Sequence, residues 1–372
     1  MWVFAAIIIF YLACNVWLFF SLLRTLQGMP TFVKVAAGVV YWLLALSFIV
    51  MQAVRNRPLS SGFGHALYWV SNGWLVFFFY MFLLTLVTTI LSRFGLHLPH
   101  AFAWSALVAV IALSVGFYRF NHPEVRHIVV NSDRPLPSGV RSLRVVAVSD
   151  MHLGYGVMRD RLARYVDLIN SRNPDIVLIG GDLVDMTVVP LVRQQMQQEL
   201  NRINAPMGIY MALGNHEYIS GIDESLAFLR TTKIHLLRDS IATLPCGLQI
   251  AGRDDRSNPR RLSATKLLAN ADPEKPLIVV DHQPQNAQVA EIARQQPDFA
   301  FFGHTHHGQV WPASLATDLI YDLSHGTRRE GRTTLCTSSG LGIWGPPFRI
   351  GTTSELHVVD FRFPEVATSS RK

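Results

Sequence analysis

Eight side chains able to do acid–base or metal chemistry close five short apolar runs of this 372-residue sequence. Asp150 and His152 follow Leu143–Val148, Asp182 follows Ile176–Ile179, and Asn215 and His216 follow Ile209–Leu213. His282 follows Leu277–Val280, and His304 and His306 follow Phe299–Phe302. Five of the 14 histidines lie in these clusters. Carboxylate, imidazole and one amide oxygen form a ligand set for borderline divalent metals such as Mn, Fe or Zn. Eight groups exceed what one ion takes. They suit two ions about 3.5–4 Å apart that share a carboxylate, clamp a phosphate and lower the pKa of a water. A single strand-end Asp or Asn is usually a turn residue. Turn chemistry does not ask for five histidines at corresponding strand ends.

The apolar runs are short and β-branched, and helical patterns such as Asp160–Arg172 and Gly221–Thr231 separate several of them. That alternation predicts an α/β sheet. In such sheets ligands collect at the carboxyl ends of the strands, where all five clusters lie. Val125–Asn131 alternates like a further strand, and Pro135, Pro137 and Gly139 form a turn after it. Gln249–Gly252, Thr333–Thr337 and Glu355–Phe361 read as later strands with little helix between them, which predicts a second sheet.

The first third has another character. Residues 1–118 hold no Asp or Glu, and their cations are Arg24, Lys34, Arg55, Arg57 and Arg93. All 26 acids lie from Glu124 onward, among 28 cations, so the basic balance belongs to the apolar part and nucleic acid is not an expected partner. Trp2–Leu23, Val33–Val54, Ala66–Leu91 and Ala101–Tyr118 are each long and apolar enough to cross a bilayer. Gly28, Pro30, Pro58, Gly62, Gly64 and Pro99 punctuate them. No mid-span ionisable residue marks a transport path. Trp2, Trp42, Trp69, Trp74 and Trp104 read as interfacial anchors. No cation precedes the first apolar run and no cleavage site follows it, so it reads as an uncleaved helix. Arg55, Arg57, Arg119, Arg126 and Arg134 against Arg24, Lys34 and Arg93 place the C-terminal domain in the cytoplasm. Cys14, Cys246 and Cys336 are far apart and read as buried thiols.

Asp-x-His, Gly-Asp-x-x-Asp, Gly-Asn-His-Glu, a strand-ending His and Gly-His-x-His, in that order, resemble the calcineurin-like metallophosphoesterases over roughly residues 124–363. The run Gly303–Gln309 is similar in particular to the small, often membrane-attached bacterial branch that includes UDP-diacylglucosamine hydrolases. His307 departs from it, standing where that branch generally has Gly. The resemblance implies a four-layer α/β/β/α sandwich and two divalent ions, Mn first and Fe, Zn or Mg as alternatives. Asp150, His152 and His306 would hold one ion, and Asn215, His282 and His304 the other, with Asp182 bridging. A metal-bridging hydroxide would attack phosphorus in line. His216 would protonate the leaving oxygen or bond a phosphate oxygen, and Asp185 would orient His216 or else cap the next element.

Other residues read more plainly. Asp281 is a local partner of His282, and Asp254-Asp255 a loop surface, with support of the ligand loops as the alternative. His122, His127, His235, His325 and His357 are surface or core, and His307 fills a turn, with substrate contact as the alternative. The Trp344/Phe348 loop is packed, with a lipid-facing lip as the alternative. Arg328, Arg329 and Arg332 form a solvated face, with binding of phosphate or a lipid headgroup as the alternative. The expected organisation is a four-helix transmembrane region (1–118), a linker with the first strand (119–140) and a catalytic domain (141–372). The expected function is membrane-anchored hydrolysis of a phosphodiester, phosphomonoester or pyrophosphate, with membrane lipids as surroundings and a lipid-linked ester as substrate, at a bacterial inner membrane. The alternatives are a soluble-nucleotide phosphodiesterase, a protein phosphatase, or a non-enzymatic membrane interaction protein.

Overall fold

The computed structural model describes residues 2–54, 57 and 59–365, with the backbone alone for residues 2–5. Arg55, Pro58 and the Trp2 side chain, which enter the reading of the apolar third, lie outside the described residues. The chain divides into two compact units, one running to Tyr118 and including Gly345–Ile350, the other comprising Arg119–Trp344 and the chain from Gly351.

The first unit is built from α1 (Trp2–Thr25), α2 (Thr31–Val54), α3 (Ser61–Arg93) and most of α4 (Ala101–Asn121). All four helices are long and apolar enough to cross a membrane. Within such a medium, helices are held by packing and by polar side chains that bond backbone groups. Tyr11 donates to Ala45 O (2.9 Å) and Tyr41 donates to Asn15 O (2.8 Å), tying α1 to α2. Trp74 is not an interfacial anchor. It is buried, with its ring edge-on to Tyr41 at 5.0 Å. Trp104 remains exposed. In Gly345–Ile350 the Arg349 N–H donates to Gly116 O (2.9 Å).

The second unit follows from strands too apolar to face water. Its strands are β1 (Glu124–Asn131), β2 (Ser142–Val148), β3 (Ile176–Ile179), β4 (Ile209–Ala212), β5 (Ile234–Leu237), β6 (Ser240–Thr243), β7 (Gln249–Gly252), β8 (Leu277–Val280), β9 (Phe299–Phe302), β10 (Gly326–Glu330), β11 (Thr333–Thr337) and β12 (Glu355–Arg362). Its helices are α5 (Arg159–Asn170), α6 (Val189–Arg193), α7 (Met196–Leu200), α8 (Asn215–Ile219), α9 (Ile222–Leu229), α10 (Ala264–Leu268), α11 (Asn286–Arg294) and α12 (Ala313–Ile320). The strands form two six-stranded mixed sheets, ordered β1-β12-β2-β3-β4-β5 and β10-β11-β9-β8-β7-β6.

Strands β3, β4, β8 and β9 are buried along their whole length, so each residue faces one of two cores. Val145, Ala147, Leu178, Ile250, Val280, Phe301 and Phe361 meet between the sheets. Ala251, Val279, Ala300 and Phe302 turn outward onto α10 and α11. On the other sheet Val146, Val148, Val177 and Ile179 are buried, as are Leu162, Tyr165, Val166 and Ile169 of α5. The result is helix, sheet, sheet, helix. Strands β2, β3 and β4 run parallel in one sheet and β8 and β9 in the other, so their carboxyl ends deliver the polar clusters.

Candidate metal centre

Three of the five clusters turn sharply off their strands. Asp150, His152, Asp182, His304 and His306 all take left-handed backbone angles, φ 52, 47, 51, 72 and 48°. Such conformations cost of order 1 kcal/mol apiece in a non-glycine residue and persist only where the surroundings hold them. Backbone bonds across the loops hold them here: Asp150 N to Gly181 O (3.0 Å), His152 N to Asp182 O (3.0 Å) and Gly303 N to His282 O (2.9 Å). Gly181 (φ +89°) lets two loops touch, because a Cβ there would stand 2.8 Å from both Gly214 N and His282 Nδ1.

Three groups of donors result: Asp150, His152 and His306; Asp182, His282 and His304; and His152, Asp182 and His216. In the first, His152 Nε2 stands 3.0 Å from His306 Nε2 and 3.8 Å from Asp150 Oδ1, and His306 Nε2 stands 3.3 Å from the same oxygen. In the second, His282 Nδ1 donates to Gly180 O (2.7 Å), which turns Nε2 toward Asp182 Oδ2 (3.0 Å) and Asn215 Oδ1 (3.2 Å). Asp182 joins the groups, since its Oδ2 is also 3.8 Å from His152 Nε2. Lone pairs of nitrogen and oxygen thus converge at contact distance on two points. Cations at those points satisfy them together, so the donor set fits a pair of divalent ions, and the His282–Gly180 bond is the kind that fixes a ligand's tautomer.

Opposite charges are also pressed together here. Burial opposes ionisation of Asp150, yet His306, His282 and His152 hold its carboxyl well below the usual range. Burial likewise opposes ionisation of Asp182, and His282, His216 and His152 overcome it. His282 pays desolvation too, but Asp182, Asp150 and Asp255 push it well above an ordinary imidazole. Burial and then His282 lower His304 to about 4. The carboxylates at this centre stay ionised.

His216 and Asp185 stand beside these groups. His216 Nδ1 is 3.3 Å from Asp185 Oδ1, and the His216 ring is edge-on to His152 at 4.6 Å. Asp185 also faces His152 Nδ1 at 3.7 Å, so one carboxylate addresses two imidazoles. Burial disfavours the His216 imidazolium, but Asp185, Asp182 and Glu217 raise its pKa to about 9. His307 turns away: its Nε2 is 3.4 Å from Asp318 Oδ1 and its ring stacks on His325 at 4.7 Å. Asp281 pairs with Arg253 and Arg261. Asp254 is buried rather than a loop surface, and accepts from Tyr218 and Arg238. The loop before Gly345 is packed through Leu341 and Ile343, while Trp344 is exposed with its ring 6.1 Å from His216.

Glu217 does more than its place in the Gly-Asn-His-Glu run discloses. Fully buried, it accepts from Gly214 N (2.7 Å), Asp182 N (3.1 Å) and Val184 N (3.0 Å), pinning the loops that carry Asn215 and Asp182. Its signal in the sequence is the helix-start spacing of Gly214 and Glu217. His325 and His357 are likewise more than filler. Both bond the buried carboxylate of Glu355.

A family model described as calcineurin-like phosphoesterase matches residues 143–308, a span that contains all five clusters. An uncharacterized metallophosphoesterase of Helicobacter pylori is 32% identical over 248 residues, 65% of this chain and 65% of that protein. The chain therefore spans just under two thirds of that relative's length. An uncharacterized metallophosphoesterase of Aquifex aeolicus is 31% identical over 265 residues, 68% of this chain and 98% of that protein. The UDP-2,3-diacylglucosamine pyrophosphatase LpxG of Chlamydia trachomatis is 23% identical over 265 residues, 55% of this chain and 79% of that protein.

Proposed function

The chain belongs to the calcineurin-like phosphoesterase family, and from that premise we propose that it is a membrane-anchored hydrolase of phosphate esters working with two divalent ions. Asp150, His152 and His306 hold one ion, and Asn215, His282 and His304 the other. The observation that carries this reading is Asp182, whose Oδ2 lies 3.0 Å from His282 Nε2 and 3.8 Å from His152 Nε2, between the two groups. Bound there, the ions supply a nucleophile from water at neutral pH and neutralise charge on the phosphoryl oxygens. Imidazole and carboxylate donors suit Mn, with Fe, Zn and Mg as competitors.

The protein's own residues do the rest. Asp185 holds Nδ1 of His216, which leaves Nε2 to give a proton to the leaving oxygen or to bond a phosphate oxygen. Glu217 keeps Asn215 and Asp182 in register. The substrate is a lipid-linked phosphodiester or pyrophosphate. That choice is supported by four helices of membrane-crossing length in the same chain and by the likeness to a diacylglucosamine pyrophosphatase. The excess of cations flanking the catalytic unit's side of the spans supports a cytoplasmic catalytic unit, and the bacterial metallophosphoesterases among its relatives support a bacterial inner membrane.

The test is turnover by full-length protein in detergent, stripped of metal and then given Mn, Zn or Mg. Bis-p-nitrophenyl phosphate is the first substrate and a lipid pyrophosphate in mixed micelles the second, with Asp182→Asn as control. Metal-dependent turnover absent from the control is the expected result. Turnover indifferent to both metal and Asp182→Asn overturns the reading, and hydrolysis of a soluble nucleotide or phosphopeptide in place of the lipid moves the substrate.

A further inference from the structure

Helix α12 is inside out. A surface helix normally turns its apolar stripe to the core and its polar face to water. Here the face set toward the unit is polar: Ser314, Thr317 and, itself half exposed, Asp318. Ser314 is buried, Thr317 Oγ1 donates to Ser314 O (2.9 Å), and Asp318 accepts from Ser324 Oγ and lies 3.4 Å from His307 Nε2. The opposite face carries Leu315, Leu319 and Ile320, which are 57, 88 and 61% exposed. Half-exposed Trp311 stands one turn before Leu315.

The helix is seated against the candidate metal centre. Gly308 (φ +71°) follows His306 and His307, and a Cβ on it would stand 2.2 Å from Ser314 N, so the ligand-bearing loop and α12 are in contact. The ring of Tyr321, which ends the helix, is 6.4 Å from that of His304. Arg328, at the C-terminal end of the same ridge, donates from Nη1 to Asp322 O (3.1 Å) and pairs through Nη2 with Glu330 Oε1 (2.6 Å).

We propose that the outward face of α12, with Trp311, is a membrane-docking surface that seats the catalytic unit on the lipid bilayer crossed by the chain's own helices. The inverted pattern, a Trp at its edge and an Arg beside it match what lies in a lipid interface. The chain supplies the partner, because it carries four helices of membrane-crossing length. Leu319, 88% exposed on a ridge, has no walls to wrap an acyl chain and suits a broad surface instead. The inference builds on the membrane-bound reading, and its first readout needs no hydrolysis.

The experiment places a polarity-sensitive fluorophore at Leu319→Cys in full-length protein, reconstituted in nanodiscs of phosphatidylethanolamine and phosphatidylglycerol. The native cysteines are all buried, which keeps labelling selective. A label at exposed Lys233→Cys serves as the water-facing control. A blue-shifted signal quenched by doxyl-labelled lipid at 319, and absent at 233, is expected. Water-like signals at both positions overturn the proposal. So does quenching that appears only after a lipid substrate is added, which would make the face an acyl-chain site, and so does label-to-label contact between copies. Leu315→Asp with Leu319→Asp should lower turnover of a bilayer-embedded ester about 10-fold while leaving bis-p-nitrophenyl phosphate turnover unchanged. Equal loss on both substrates would overturn docking in favour of a structural role.

Discussion

Two buried clusters of histidine and carboxylate lie in the same α/β unit, and they differ in how their polar atoms are met. At the candidate metal centre, His152 Nε2 faces His306 Nε2 and Asp150 Oδ1, and His282 Nε2 faces Asp182 Oδ2 and Asn215 Oδ1. Five of its residues have left-handed backbones. In the other cluster, Glu355 accepts from His325 Nε2 (3.0 Å), His357 Nε2 (3.2 Å) and Ser339 N (2.7 Å), with Arg126 Nε at 3.5 Å. Cys336 Sγ sits 3.7 Å from His357 Nδ1, and Glu355 and His357 belong to the regular strand β12. One cluster is strained and gathers lone pairs on shared points. The other is relaxed, and its carboxylate meets donors on every side. Residue types do not separate a reactive site from a structural ion pair; strain and convergence of acceptors do.

The largest effect should come from Asp182→Asn, which removes charge where the two groups meet. Metal content should fall at both sites and turnover by about 10^3-fold or more, read by elemental analysis beside the ester assay. Two tightly held ions in that variant would rule out a bridge. His216→Gln comes next, with turnover down roughly 10^2- to 10^3-fold and metal content near wild type. Loss of both ions there would make His216 a ligand and redraw the border of the cluster.

The sequence discloses this contrast at some residues and hides it at others. Asp150, His152, Asp182, Asn215, His216, His282, His304 and His306 are legible because each ends an apolar run, and strand ends of an α/β sheet gather in space. The apolar helices are legible because water leaves such segments no other solvent. Glu355 and His357 are not, because strand alternation shows only that they point inward, and their partners arrive from β11 and from the loop before β10. The inward turn of Trp74 escapes for the same reason: a tryptophan near a span's end fits a lipid interface and a helix interface equally. The short helices α6, α7 and α10 are too brief for periodicity to declare them, and α12 inverts the expected pattern.

Glu355→Gln tests the relaxed cluster from the other side. It leaves two imidazoles and a guanidinium around a neutral amide in a buried setting. Stability should drop by about 3 kcal/mol, while turnover per folded molecule stays within about twofold. A guanidinium midpoint for the detergent-solubilised protein reads the first, and the ester assay the second. A collapse of turnover at unchanged stability would join Glu355 to the active centre and erase the distinction between the clusters.

The smallest expected effect is a slope with pH. Burial disfavours the His357 imidazolium, but the Cys336 sulfur and the Glu355 carboxylate outweigh it and raise the pKa to about 10. Unfolded, the same ring titrates near 6.5. Below that value both states carry the proton and the stabilisation is complete. Above it the unfolded chain gives up the proton while the folded one keeps it, so stability falls by up to about 1.4 kcal/mol per pH unit until the folded group titrates. Glu355 acts at the other end. Burial opposes its charge, yet His325 and His357 hold it below the carboxylate range, so its contribution is present above about pH 4.3 and fades as the pH drops further. Between pH 7 and 8.5 the wild type should therefore lose about 2 kcal/mol through His357, and His357→Gln should lose that much less over the same interval. Parallel slopes for the two proteins would mean that His357 is neutral in the folded state and that the cluster is a hydrogen-bonded core rather than an ion pair.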